Sequence, residues 1–436
     1  MKRLTWGAVT ASQKTSRPLP TLDGRTPRVT PTVTNDPDHF PGALWRLTLA
    51  HALVDAYASA VQPLWPDLQR SLALDDATMQ WAFVLWSVAT SLSQLAFGYL
   101  GDRGGANGWL WAGTAFGIVG MSGLGLARGF PSLSALILVG GLGIAAFHPE
   151  AATLAGATAP ADRSRAMSFF AVGGYIGQAI GPILSGVVTT RFGLAALAWA
   201  APPGLLLMGL LMFASRADRR ARRPSHEKAA PPAAPLLPMI RANGRAVGVM
   251  MAVGVLRVMP ALGVPLALAY LLKQRGESNA AIGLAQSIFL GAVGVGSLGC
   301  ALFVRRARER SVHWLLPVLS VPPLLLCPLA GFTGMAVCSA VVGVLLGAVM
   351  PILIGYGQRL LRDGPRVASS LTMGVTWGLG GMAVAALVAA LNRSHRPDLA
   401  FPVFAASSLL SSILCVWLPE PEPRITSSRS GSSSSR

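Results

Sequence analysis

Acidic residues are scarce in this chain. Of 436 residues only 18 are Asp or Glu, and charged residues of both signs make up 12%, about half the share of an ordinary soluble domain. With 52% hydrophobic residues and a mean hydropathy of +0.52, a set of soluble domains is excluded, as are disordered, collagen-like and coiled-coil chains. Cysteine is scarce too. The four, Cys300, Cys327, Cys338 and Cys415, lie in apolar stretches without CxxC spacing, which excludes a disulfide framework or thiolate cluster and makes them small core hydrophobes. Neither HExxH nor GxSxG occurs, so a membrane enzyme is disfavoured and no cofactor or metal is expected. No apolar run precedes residue 44, so no cleavable secretory signal is expected.

What is present is a series of apolar runs separated by short polar or glycine- and proline-marked breaks, among 48 Gly and 32 Pro. A membrane helix needs about 20 mostly apolar residues. That ruler gives spans near 44–66, 79–100, 109–127, 132–157, 164–188, 194–214, 246–272, 280–304, 313–331, 333–358, 367–391 and 399–418. The expected fold is an all-α membrane protein of twelve transmembrane helices: an N-terminal six-helix bundle over 44–214 and a C-terminal one over 246–418. Residues 215–245, with Arg pairs and a Pro/Ala-rich end, read as a cytoplasmic linker, and 1–43 and 419–436 as disordered cytoplasmic tails.

The net charge of +18 comes from the scarcity of acids and from arginine crowded into short loops, so no nucleic-acid partner is expected. On one side of the spans lie only Arg70, Arg128, Arg191, Lys273, Arg275, Arg393 and Arg396; apart from Arg257, the rest of the 36 cations lie on the other. Cations collect in cytoplasmic loops, so both termini are expected in the cytoplasm and the chain in the inner cell membrane, crossing it many times.

The halves are weakly self-similar. Gly141, Ala146 and Pro149 meet Gly343, Ala348 and Pro351 at one offset, and Arg165, Ser168, Gly173 and Gly177 meet Arg366, Ser369, Gly374 and Gly378 at the next. Two like-oriented repeats around a central path are the architecture of many secondary transporters.

Charge inside the spans is limited to Asp55, Glu150 and Arg257, each near the middle of its span. An ionisable group there costs roughly 2.5–3.5 kcal/mol on insertion scales, which points to a pathway, with structural ion pairing of Arg257 to an acid as the alternative. His51 precedes Asp55 by one helical turn, and His148 and Pro149 immediately precede Glu150. Asp55 and Glu150 are therefore expected to carry or sense a proton, Glu150 as carrier and Asp55 as partner of Arg257, while His51 and His148 tune or relay. Arg257 is expected to face a substrate anion or an acid. Gln94, Tyr175, Gln178 and Trp377, with Trp81 and Trp86, are candidate liners whose alternative is packing.

Between spans two and three the chain reads Gly98-Tyr-Leu-Gly-Asp102-Arg103-Gly-Gly105. On its own this is a solvated turn, but it resembles the signature loop of the major facilitator superfamily at Gly98, Leu100, Asp102, Arg103 and Gly105. Ala106 and Asn107 replace the basic pair, and the counterpart at Gly296–Arg306 has lost its acid, so the resemblance places a cytoplasmic gate on the first half. Gly173, Gly177, Gly181 and Ser185 form a small-residue stripe in span five. The string Gly177-Gln-Ala-Ile-Gly181-Pro182-Ile-Leu-Ser185-Gly186 resembles the antiporter motif of drug-exporting facilitators, with Ser185 where glycine is usual.

His51 to Asp55 with Pro63 and Pro66, Phe147-His148-Pro149-Glu150, Leu256-Arg257 with Pro265, and Pro351 with Gln358 resemble the fosmidomycin-resistance-like efflux branch of that superfamily over about Leu44 to Leu418. Val304 and Asn392 depart from its pattern. The resemblance implies two halves rocking about a central site, a small-molecule substrate, protons as coupling ions, a lipid bilayer as solvent and a monomer. The expected activity is proton-coupled export of a small amphiphilic or anionic compound such as a drug. Uptake of a small metabolite and a non-transporting membrane scaffold are the alternatives.

Overall fold

The computed structural model describes residues 42–100, 108–158, 163–221, 238, 241–304, 309–361, 368 and 370–419. The first helix, α1, is Gly42–Ala60, followed by a 3-10 turn at Gln62–Leu64 and a short helix at Trp65–Ser71. The others are α2 (Asp76–Gly98), α3 (Trp109–Leu126), α4 (Phe130–Thr158), α5 (Ala166–Phe192), α6 (Leu194–Arg216), α7 (Gly244–Gln274), α8 (Asn279–Cys300), α9 (Glu309–Leu329), α10 (Phe332–Leu360), α11 (Ser370–Arg393) and α12 (Pro397–Trp417). Among the described residues there is no strand.

Eleven helices, α2 to α12, are long and apolar enough to cross a membrane by length and composition. The twelfth, α1, has 19 residues and carries Arg46, His51 and Asp55, which lower its hydropathy without removing it from the bundle. The first span was expected to run to residue 66; the α-helix ends at Ala60 because Pro63 and Pro66, at the starts of the two segments that follow, have no N–H to continue the ladder. Asp75 starts α2 by accepting the Thr78 backbone N–H at 2.7 Å. Its carboxyl is held below the usual range by hydrogen bonding from Thr78, side chain and backbone.

The packing repeats. In the first half α1 lies on α4, α5 and α6, α3 on α4 and α6, and α2 on α4; in the second, α7 lies on α10, α11 and α12, α9 on α10 and α12, and α8 on α10. The halves meet through α5 against α8 and α2 against α11, pairs that exchange under the same repeat. The α2/α11 contact joins two π-turns, Val88–Leu92 and Ser370–Val375. Each π-turn holds one extra residue and loosens the local ladder.

Exposed aromatics stand at both ends of the bundle. Trp45, Trp314 and Trp417 stand out from the end at which α1 starts, and Trp81, Trp199 and Phe192 from the far end, as in the interfacial belts of membrane proteins. Trp81, expected as a liner, is 66% exposed, so it belongs to the outer belt. Trp86 packs edge-on against Trp65 with ring centres 5.9 Å apart.

Candidate functional site

The site begins with how closely α5 can approach α1. A Cβ at Gly177 would lie 2.9 Å from the Ala56 backbone nitrogen, and one at Gly181 would lie 3.0 Å from the Ala56 carbonyl carbon. Neither backbone can yield, so only a residue without a side chain permits this contact. One turn earlier, a Cβ at Gly174 would lie 2.6 Å from His51 Cε1 and 2.9 Å from Asp55 Oδ2. Gly174 thus leaves the volume that the polar cluster fills, a signal visible in the Gly173-Gly174 pair but not singled out in the sequence.

Asp55 is 4% exposed and surrounded by polar groups from three helices. His148 Nε2, on α4, is 3.1 Å from Asp55 Oδ1. His51 Nε2, one turn back on α1, is 3.5 Å from Asp55 Oδ2. Gln178, on α5, donates from Nε2 to the same Oδ2 at 2.8 Å. Each imidazole is fixed from behind: His51 Nδ1 is 2.9 Å from the Phe170 carbonyl oxygen and His148 Nδ1 is 2.8 Å from that of Ile144. The His51 ring also stacks on Phe170, centroids 4.2 Å apart. Because a carbonyl only accepts, both Nδ1 atoms carry hydrogen, and each Nε2 is turned to the carboxylate. The ligand atoms of His51, Asp55 and His148 all lie within 4.8 Å of one another, a donor set suited to a proton or a metal ion.

The other expected site residues are dispersed. Glu150, two residues beyond His148 on α4, is half-buried and has no hydrogen-bond or ion-pair partner among the described residues. Positions two apart on a helix look to different sides. The expected pairing of Asp55 with Arg257 is corrected. Arg257, 1% exposed, directs Nη1 at the His313 ring, with Nδ1 at 2.9 Å, and donates from Nη2 to the His313 carbonyl at 2.5 Å and Cys415 Sγ at 3.0 Å. Neutral acceptors from α9 and α12 serve this guanidinium, and among the described residues it has no acidic partner. His313 escaped the sequence reading because an uncharged polar residue near a helix end does not stand out there.

Gln94 donates to the Thr90 carbonyl on its own helix at 2.8 Å. Tyr175 accepts from Ser297 at 3.1 Å across the α5/α8 junction, and Trp377 is half-buried on α11. Gly98 faces Pro149 with room for a Cβ at 3.9 Å; Asp102, Arg103 and Gly105 lie outside the described residues. Pro182 and Gly186 belong to the α5/α8 junction. A Cβ at Gly186 would lie 3.2 Å from Ala280 Cα, and one at Gly283 would lie 3.2 Å from Ile183 Cα.

The model of the Major Facilitator Superfamily matches residues 47–382. The fosmidomycin resistance protein of Escherichia coli is 27% identical over 87% of this chain and 93% of its own length. The multidrug resistance protein Stp of Mycobacterium tuberculosis is 27% identical over 36% of this chain and 30% of its own. Among solved structures, a bacterial homolog of the human lysosomal transporter Spinster, inward-facing and occupied, superposes with a TM-score of 0.61 at 14% identity, over 86% of this chain and 94% of that one. That likeness concerns the fold.

Proposed function

The chain belongs to the major facilitator superfamily and is a multi-pass membrane transporter, and from that premise we propose that it is a proton-coupled exporter of a small amphiphilic or anionic compound, working as a monomer with both termini in the cytoplasm. The observation that carries the coupling is the buried Asp55 carboxylate, met by two imidazole nitrogens and one amide. A full negative charge inside an apolar bundle persists only with a positive partner, and one proton on His148 Nε2, 3.1 Å from Asp55 Oδ1, supplies it.

Gln178 links that proton store to the moving parts. It donates to Asp55 from α5, and Tyr175, three residues earlier on the same helix, takes a hydrogen bond from Ser297 of the other half. Changing the proton count at Asp55 changes what Gln178 faces and so biases the α5/α8 junction, where alternating access must open and close. This reading moves the coupling proton from Glu150 to Asp55. Glu150, half-buried and without a hydrogen-bond or ion-pair partner among the described residues, is the second acid to test.

Two relatives are named for drug resistance, one to fosmidomycin and one to several drugs, which supports a drug as substrate, and fosmidomycin is the first compound to test. Proteoliposomes loaded with the purified chain should move radiolabelled fosmidomycin against an inward proton gradient and lose that movement when the gradient is collapsed. Equal movement with and without the gradient would end the coupling proposal; movement only in the same direction as protons would make the protein an importer.

A further inference from the structure

We infer that His51, Asp55 and His148 form a binding site for one divalent transition-metal ion of the zinc, cobalt and nickel class, within the first half of the protein. Each residue offers one ligand atom, and the three converge from two helices, α1 and α4. Zinc takes imidazole nitrogen and carboxylate oxygen at about 2.0–2.2 Å in a tetrahedral set, which separates the ligand atoms by about 3.3–3.5 Å. His148 Nε2 lies 3.1 Å from Asp55 Oδ1 and His51 Nε2 lies 3.5 Å from Asp55 Oδ2, and one ligand atom from each residue lies within 4.8 Å of the others, so side-chain turns of up to about 1.4 Å bring the three to the separation a tetrahedral ion needs.

The surroundings of the imidazoles make the same point independently. Metal-bound histidines are typically held by a second partner on the far ring nitrogen, which sets the tautomer and ring orientation. Here both rings have such a partner, the Phe170 and Ile144 carbonyls, and both therefore aim Nε2 inward. In their neutral form the two nitrogen lone pairs would face the carboxylate oxygens with nothing between them. One divalent cation satisfies all three ligands at once. Gln178, donating to Asp55 Oδ2 at 2.8 Å, fixes the carboxylate in turn, and the bare Cα of Gly174 leaves the rings their space.

Entry is from the side of His148, whose side chain is 23% exposed against 5% for Asp55. The fourth position of a tetrahedral ion falls to water from that side. Two imidazoles and a single carboxylate favour borderline metals over calcium or magnesium, which take oxygen-rich shells. A bound ion would stand where the coupling protons stand, so zinc should also inhibit transport. That consequence rests on the proposed coupling; the binding itself does not, and it is measured without transport.

The test uses the full-length purified chain in detergent, stripped of metal and titrated with Zn2+ by calorimetry, with Co2+ as an optical reporter. One equivalent of zinc should bind, and Co2+ should give the visible absorption of a four-coordinate centre. Asp55→Asn and His148→Ala should weaken zinc by more than about 100-fold, since loss of supporting groups alone costs 10- to 100-fold. His395→Ala, on an exposed turn, should bind as the parent does. X-ray absorption of the zinc-loaded parent should show a nitrogen and oxygen shell with imidazole scattering. A folded parent that binds no zinc, binding that survives both substitutions, or a sulfur shell from the cysteines would overturn the site. The scattering spectrum decides the matter even where a variant fails to fold.

Discussion

Lys273, at the end of α7, holds its ammonium 2.9 Å from the Asp67 carboxylate, so an ion pair ties the two halves together at the far end of the bundle. Asn279 extends the tie, donating to Asp67 at 2.8 Å and to Thr189 at 3.2 Å while accepting from Lys273 at 2.8 Å. Tyr270 donates to Gln69 at 2.8 Å, and Asp76 accepts from both Gln69 at 2.8 Å and Asn392 at 2.6 Å. Both sides of this network border a cleft of about 360 Å³ that Arg70, Lys273 and Asn392 help to line. Replacing Lys273 by Ala should weaken far-end closure by about 1–2 kcal/mol, roughly 5- to 30-fold in the closed-to-open ratio. Spin labels at Ser71 and Gln274 would register this as a longer distance population; an unchanged distribution would mean the pair is incidental.

Asp55→Asn should abolish pH-driven transport, because the amide removes the charge around which the two imidazoles and Gln178 are arranged. Glu150→Gln should slow transport but leave its pH dependence in place. Gradient-driven flux and gradient-independent exchange, compared in proteoliposomes, separate the two. Full coupling in Asp55→Asn with none in Glu150→Gln would return the proton to Glu150.

Arg257→Met should act on stability before it acts on binding. Its hydrogen bonds run to His313 and Cys415, and removing a charged donor leaves those acceptors buried and unpaired, at about 1–3 kcal/mol. A lower melting temperature in detergent, with an unchanged substrate dissociation constant for the folded fraction, is the expected pair of results. Unchanged melting with binding weakened tenfold would place Arg257 at the substrate.

Three glycine substitutions should rank by what the new methyl meets. Gly177→Ala drives a Cβ into the Ala52 and Ala56 backbone of α1, and Gly174→Ala drives one into His51 and Asp55, whereas at Gly291 the nearest atom, Ala179 Cβ, is 3.6 Å away. The first should cost about 1–3 kcal/mol through forced separation of helices. Gly174→Ala should leave melting closer to the parent's yet impair transport, and Gly291→Ala should be silent. Thermal melting and transport rates on the same preparations test the order.

Cysteine labelling in intact cells tests the orientation. Ser394→Cys lies on an exposed far-end turn and Ser311→Cys on an exposed surface at the opposite end. An impermeant thiol reagent should modify the first alone, because the cation-rich end is expected in the cytoplasm; modification of only the second would invert the protein.

The sequence by itself determined the twelve spans, their grouping into repeated halves and the scarcity of intramembrane charge, because bilayer thickness and the price of burying charge act on each segment separately. His51 and Asp55 could also be placed together from sequence, being one helical turn apart. Only the tertiary structure decided which groups from different helices meet. Gln178 comes to Asp55 because glycines let α5 close on α1, and His148 comes to it from α4, whereas Arg257 turns to His313 and Cys415, 56 and 158 positions further along the chain. Contacts of that separation depend on helix rotation and tilt, which packing sets jointly and local pattern leaves open. The far-end network of Asp67, Lys273 and Asn279 was hidden for the same reason: each residue reads alone as a solvated turn, and its meaning lies in the partner that the other half brings.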